Sequence, residues 1–181
     1  INNNNNINMS IKNLTSLFRK LDYIFTDKVY YVNSPVFIGR NYLSDYNGED
    51  WKIYIPKKEI NLKEGKYERI YIPYPNQIIN RNFELLLICW YPNVESPIHN
   101  HSKNGCAMKI LEGELTEIQY NFRSKTLTKT LENKMPLNTT NYTDSKYYYH
   151  KIINRSDKIS YSLHLYSPPN QITDIFGEPK E

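Results

Sequence analysis

The chain has 181 residues, 39% of them hydrophobic and 23% charged, with a formal net charge of +4. That length suits one domain with a core that needs no disulfides, and only 2 cysteines argue against a secreted disulfide scaffold and for a reducing cytoplasm. The basic residues are scattered, with Arg19-Lys20 and Lys57-Lys58 the densest pairs, no apolar run is long enough to span a bilayer, and no leader pattern is seen, so neither a nucleic acid nor a membrane is expected as partner.

Residues 1–9 form an Asn-rich tract, expected to be a disordered tail before a single domain over residues 10–181. Residues 10–50 are expected to be its helical part. Ser10 is a candidate N-cap, and Ile11, Leu14, Leu17-Phe18, Leu21 and Ile24-Phe25 recur at helical spacing. A second short helix or an irregular turn is expected over Pro35 to Tyr46, then a strand over Trp51 to Ile55 and a turn over Asn61 to Gly65. Strand-like pieces follow at Tyr67 to Ile72, Phe83 to Trp90, Ala107 to Leu111, Glu114 to Tyr120, Thr126 to Leu131, Tyr147 to Ile153 and Tyr161 to Tyr166, with turn residues between them. Their spacing predicts an antiparallel sandwich or barrel, and no βαβ rhythm is seen. Phe83 to Trp90 is almost continuously apolar and reads as a central strand covered on both faces. Gly113 is placed in a tight link between two strands, where it can take the positive φ that hairpins often need. Glu114 to Tyr120 alternates as if one face were wet, and the polar stretch from Asn121 to Lys134 is expected near an edge.

The chain holds 4 histidines. His99 and His101 are two apart, so in a strand both rings share a face, and imidazole pairs suit first-row transition metals. Were His150 to lie across a barrel from them, three imidazoles would converge. His164 alternates with Leu163 and Leu165 and shares a face with Ser162 and Tyr166. A ligand role, a role behind the ligands and plain packing are all open for it. Cys106 is a candidate soft ligand, reactive thiol or small core residue, whereas Cys89 reads as core. Arg69, alternating with Tyr67 and Tyr71, needs a carboxylate partner if it faces inward. Asn and Tyr are abundant throughout, with 17 Tyr against 6 Phe, which discounts any single one of them as a signal.

Taken together, His99-x-His101, Cys106, Gly113, His150 followed by Asn154, and Ser162-Leu163-His164-Leu165-Tyr166-Ser167-Pro168-Pro169 resemble the thiol dioxygenases of the cupin superfamily, and most closely the cysteine dioxygenase family. The resemblance runs from about Tyr67 to Pro169. It implies an all-β core, a cupin-type antiparallel β-barrel or jelly roll with short N-terminal helices. It also implies a monomeric, cytoplasmic, non-haem Fe(II) enzyme that oxidises L-cysteine with O2 to cysteine sulfinic acid. By the same resemblance His99, His101 and His150 hold the iron. Cys106, which stands where other cupins place a Glu ligand, is crosslinked by a thioether to Tyr166. His164 orients the Tyr166 hydroxyl, Ser162 stands behind, Trp90 walls the pocket and the Ser167-Pro168 peptide is cis. Tyr67 and Arg69 stand at the substrate-binding positions, Arg69 pairing with the substrate carboxylate. This chain reads Tyr67-Glu68-Arg69-Ile70 and lacks the family's Asn after the Arg, and an alternative registration puts Tyr71 and Pro73 there. The extra residues are expected in a Pro75 to Arg81 turn. Two other readings compete: a dioxygenase of another small thiol such as 3-mercaptopropionate, and a metal-binding cupin without catalysis.

Overall fold

The structure is a computed structural model that describes residues 10–26, 33–57, 67–75, 82–101, 104–123, 126–144, 149–170 and 175–176. The expected tail over 1–9, the Asn61 to Gly65 turn and most of the Pro75 to Arg81 turn lie outside these residues. Two helices, α1 (Leu14–Thr26) and α2 (Pro35–Asp45), and a 3-10 turn (Asp50–Tyr54) come first. Eight strands follow: β1 (Tyr67–Tyr71), β2 (Glu84–Trp90), β3 (Cys106–Glu112), β4 (Leu115–Arg123), β5 (Thr126–Met135), β6 (Thr140–Thr143), β7 (Tyr149–Ile153) and β8 (Ser160–Tyr166).

The strands form two antiparallel sheets, ordered β1-β2-β8-β3-β6 and β5-β4-β7. Among the described residues neither closes on itself or on the other, so the expected barrel or jelly roll is not what the chain builds. Gly113 marks where the chain passes between them. It has φ 79°, as expected, but β3 and β4 do not pair through it. The chain instead crosses there from one sheet to the other. A Cβ on Gly113 would lie 2.3 Å from Ser160 Oγ, and that hydroxyl donates to the Glu114 carbonyl at 3.0 Å. The crossover is thus pinned to the start of β8.

An all-β core is corrected too, because the helices supply one wall of it. On β2, Leu85, Leu87 and Cys89 pack in one cluster with Leu17, Phe18, Leu21 and Ile24 of α1 and Val36 and Leu43 of α2. Leu86, Ile88 and Trp90 point the other way, into a second cluster with Cys106, Met108, Leu115, Ile152 and Tyr166. All seven residues of β2 and of β8 are buried. The period-2 geometry of a strand sends alternate side chains to opposite faces, so a nearly continuous apolar run needs cover on both. Here α1 and α2 cover one face and the three-stranded sheet the other. Burial of a single Leu such as Leu17 or Leu21 contributes about 1.5–3 kcal/mol.

Local differences have local causes. α1 starts at Leu14, not after Ser10: the Asn13 carboxamide oxygen accepts from Ser16 N at 2.8 Å, while Ile11 bridges to Tyr46. Residues 50–54 are not a strand. In a strand Trp51 and Ile53 would share a face, yet Trp51 is 1% exposed and Ile53 71%. Asp50 explains the turn, since its carboxylate accepts from Leu14 N and from the Tyr46 hydroxyl, both at 2.7 Å. β4 has no wet face at its start, where Leu115 to Ile118 are all buried. β5 is the edge strand expected, and β6, which no sequence pattern announces, edges the larger sheet.

Candidate metal centre

Segment 94–101 runs antiparallel along β7. Ser96 N donates to the Ile152 carbonyl at 2.9 Å, Asn154 N to the Val94 carbonyl at 2.9 Å, and His99 and His150 exchange backbone hydrogen bonds, both at 2.9 Å. His150 therefore meets His99 as a paired neighbour and not across a barrel. The ring centroids lie 4.7 Å apart for His99 and His150, 4.4 Å for His101 and His150 and 5.2 Å for His99 and His101. One ligand atom of each lies within 4.8 Å of those of the other two.

The tautomers follow from what each ring faces. His99 Nδ1 is 2.9 Å from the Pro97 carbonyl, which can only accept, so Nδ1 carries the proton and Nε2 keeps its lone pair. His150 Nδ1 is 2.7 Å from Glu117 Oε1, with the same result. His101 is buried, and its Nδ1 has no hydrogen-bond partner among the described residues. Burial lowers the pKa of all three rings, and for His101 the neighbouring imidazoles lower it further. Three neutral, converging, buried imidazoles fit a single transition-metal ion. Sequence alone missed Glu117. It is fully buried and is held in turn by Gln119 at 3.0 Å and Asn141 at 2.7 Å, both on Oε2. A carboxylate behind a ligand histidine fixes its ring and raises its basicity.

The imidazoles open into a cavity of about 100 Å³, smaller than the ~300 Å³ at which drug-sized sites begin. Tyr67, Arg69, Trp90, Cys106, His164 and Tyr166 line it with the three histidines, so nearly every candidate residue comes to one place. Met108, Ile152 and Ile175 complete its apolar wall. Ser162 stands one step behind: Trp90 Nε1 donates to its Oγ at 2.8 Å, and His164 Nε2 lies 2.8 Å from that Oγ. An indole only donates, so the Ser162 hydroxyl accepts from Trp90 and stands between it and His164. His164 Nδ1 lies 3.3 Å from the Tyr166 hydroxyl and 3.7 Å from Cys106 Sγ.

Cys106 and Tyr166 are direct partners across the β3–β8 ladder. Cys106 is not in the imidazole cluster, and burial pushes its thiol up to about 12. Burial likewise raises Tyr166 well above the usual phenol range. Arg69 reaches in from β1 with its guanidinium 5.6 Å over the Tyr166 ring, and Tyr67 stacks on Trp90 at 4.8 Å. The Ser167-Pro168 peptide is cis. No helix among the described residues is long and apolar enough to cross a membrane.

A family model described as Cysteine dioxygenase type I matches residues 4–178. Cysteine dioxygenase type 1 of Rattus norvegicus is 31% identical over 103 residues, which cover 55% of this chain and 52% of that protein. The chain thus spans about half the length of that relative. The Danio rerio protein of the same name is 26% identical over 178 residues, covering 94% of this chain and 82% of its own, and the Bos taurus protein is 27% identical over 171, covering 92% and 80%.

Proposed function

The chain belongs to the cysteine dioxygenase type I family, and we propose that it oxidises the thiol of L-cysteine with O2 to cysteine sulfinic acid, using Fe(II) held by His99, His101 and His150. The observation that carries this reading is the convergence of three neutral imidazoles on a cavity that also holds a guanidinium and a phenol. Bound there, Fe(II) supplies a reducing centre at which the substrate sulfur and O2 can meet.

The chain's own residues do the rest. A small cavity holds thiol and oxygen together, and such proximity lowers a bimolecular barrier by several kcal/mol. The Arg69 fork pairs with the substrate carboxylate in two parallel hydrogen bonds. Hydrogen bonds from Trp90 through Ser162 to His164 hold the His164 ring in place. His164 in turn positions the Tyr166 hydroxyl, which lines the cavity. Cys106, a thiol and not a thiolate at neutral pH, does not compete with the substrate sulfur. Its pairing with Tyr166 across the ladder supports the family's thioether crosslink, in which the sulfur bonds to the phenol ring and two hydrogens are lost to O2.

The test is to incubate the iron-loaded protein with L-cysteine under oxygen, with 3-mercaptopropionate in parallel, and to identify products by mass spectrometry. A cysteine product heavier by two oxygens is expected. Sulfinate from 3-mercaptopropionate alone would replace the substrate. No product from either, with iron bound, would leave a metal-binding protein without this activity.

A further inference from the structure

Four residues of the cavity's apolar wall belong to the sheets. Ile88, Trp90, Met108 and Ile152 lie within sheet strands and are buried. Ile175 does not. It comes from a segment near the end of the chain, bridges to His99 on the side away from the sheets' own strands, and is half-buried. Phe176 fastens it there. Phe176 N donates to the Ile98 carbonyl at 2.8 Å, and its ring packs at 5.8 Å from Phe122 of β4 and 6.2 Å from Tyr149 of β7. Those two rings are 5.7 Å apart, which closes the cluster. Phe122 and Phe176 are 43% and 42% exposed, so this contact lies at the surface.

We propose that Ile175, pinned by the aromatic cluster of Phe176, Phe122 and Tyr149, is a specificity-determining residue that limits how long a thiol side chain can enter beside His99. This rests on the thiol dioxygenase reading for the class of ligand, though not for turnover. Ile175 narrows a space already small, so a thiol one methylene longer than cysteine meets its side chain. One methylene in an apolar pocket is worth about tenfold or more in discrimination.

The experiment is anaerobic calorimetric titration of the iron-loaded protein with L-cysteine and with L-homocysteine, for the unmodified chain, Ile175→Ala and Phe176→Ala. The unmodified protein is expected to bind cysteine about tenfold or more tighter, and both variants to bring the two affinities together. An unchanged affinity ratio in Ile175→Ala, or failure of the unmodified protein to bind either thiol, overturns the proposal. An unchanged ratio in Phe176→Ala alone overturns the pinning. The same samples are then given oxygen. A ratio that shifts while no sulfinate forms supports the wall and sinks the dioxygenase reading instead.

Discussion

Glu117 Oε1 lies 2.7 Å from His150 Nδ1, with neither residue more than 3% exposed. The carboxylate holds the proton on Nδ1 and aims Nε2 at the other imidazoles. Gln119 and Asn141 hold Oε2, so the carboxylate cannot swing away. Glu117→Gln keeps the shape but removes the anionic acceptor. Metal affinity, measured by competition with a chelator, is expected to fall about 10–100-fold, while the metal-free protein melts close to the parent. Unchanged affinity would show that His150 needs no partner.

Tyr166 and His164 make a second pair, and its two members should respond differently. Tyr166→Phe removes a hydroxyl that lines the cavity and meets His164. Turnover of cysteine is expected to fall about 10²-fold or more, with iron content and cysteine affinity nearly unchanged. Ser162→Ala releases His164 Nε2 and leaves the buried Trp90 Nε1–H without its acceptor, so a smaller loss of turnover is expected, with a shifted pH profile and a lower melting temperature. Equal losses in affinity and turnover would make Tyr166 a plain binding contact.

Arg69 is tested through the substrate. Its guanidinium lies over the Tyr166 ring, but the residue is more than a third exposed, so water weakens any ion pair it makes. Arg69→Ala is expected to raise KM for cysteine by about three- to tenfold, a charged hydrogen bond discounted for exposure. Cysteamine, which lacks the carboxylate, should bind equally well to both proteins. If cysteamine loses as much as cysteine, Arg69 is not the carboxylate anchor.

These predictions separate what the sequence could show from what it could not. The two-apart spacing of His99 and His101 points to a metal, whereas His150 joins them through the family resemblance, since spacing alone leaves it an ordinary histidine as readily. Their means of meeting was not readable. The expected barrel would have brought His150 from across the fold, whereas segment 94–101 lies directly on β7. Closure of a sheet depends on which edges find partners, and period-2 alternation carries no information about that. Gly113 was read as a hairpin turn for the same reason: a positive φ marks a turn, not which strands it joins. Glu117 escaped because a lone acid in a strand looks solvated until the strand opposite it is known. Trp51 was misassigned because a short stretch of apolar and polar residues fits a 3-10 turn as well as a strand, and the deciding contact, Asp50 to Leu14 N, spans 36 residues.

The remaining prediction concerns pH. Burial lowers the pKa of His99, His101, His150 and His164 in the folded chain. Below about pH 6.5 the unfolded chain takes up protons that the folded chain refuses. Stability is therefore full above that pH and falls as pH drops, by up to about 1.4 kcal/mol per pH unit for each histidine. Burial raises the Glu117 carboxyl above 4.5, which acts in the opposite sense as pH falls from that raised value, but one carboxyl opposes four imidazoles. The urea midpoint of the metal-free protein is thus expected to fall steadily from pH 7 to pH 5. His101→Asn removes one imidazole and should flatten the curve, even if its midpoint at pH 7 is lower. Metal binding requires the same neutral rings, so metal affinity should decline over the same interval. A midpoint that does not change between pH 7 and pH 5 would mean that the four rings are solvated enough to titrate normally, and a closed, neutral imidazole cluster would then be the wrong description of the site.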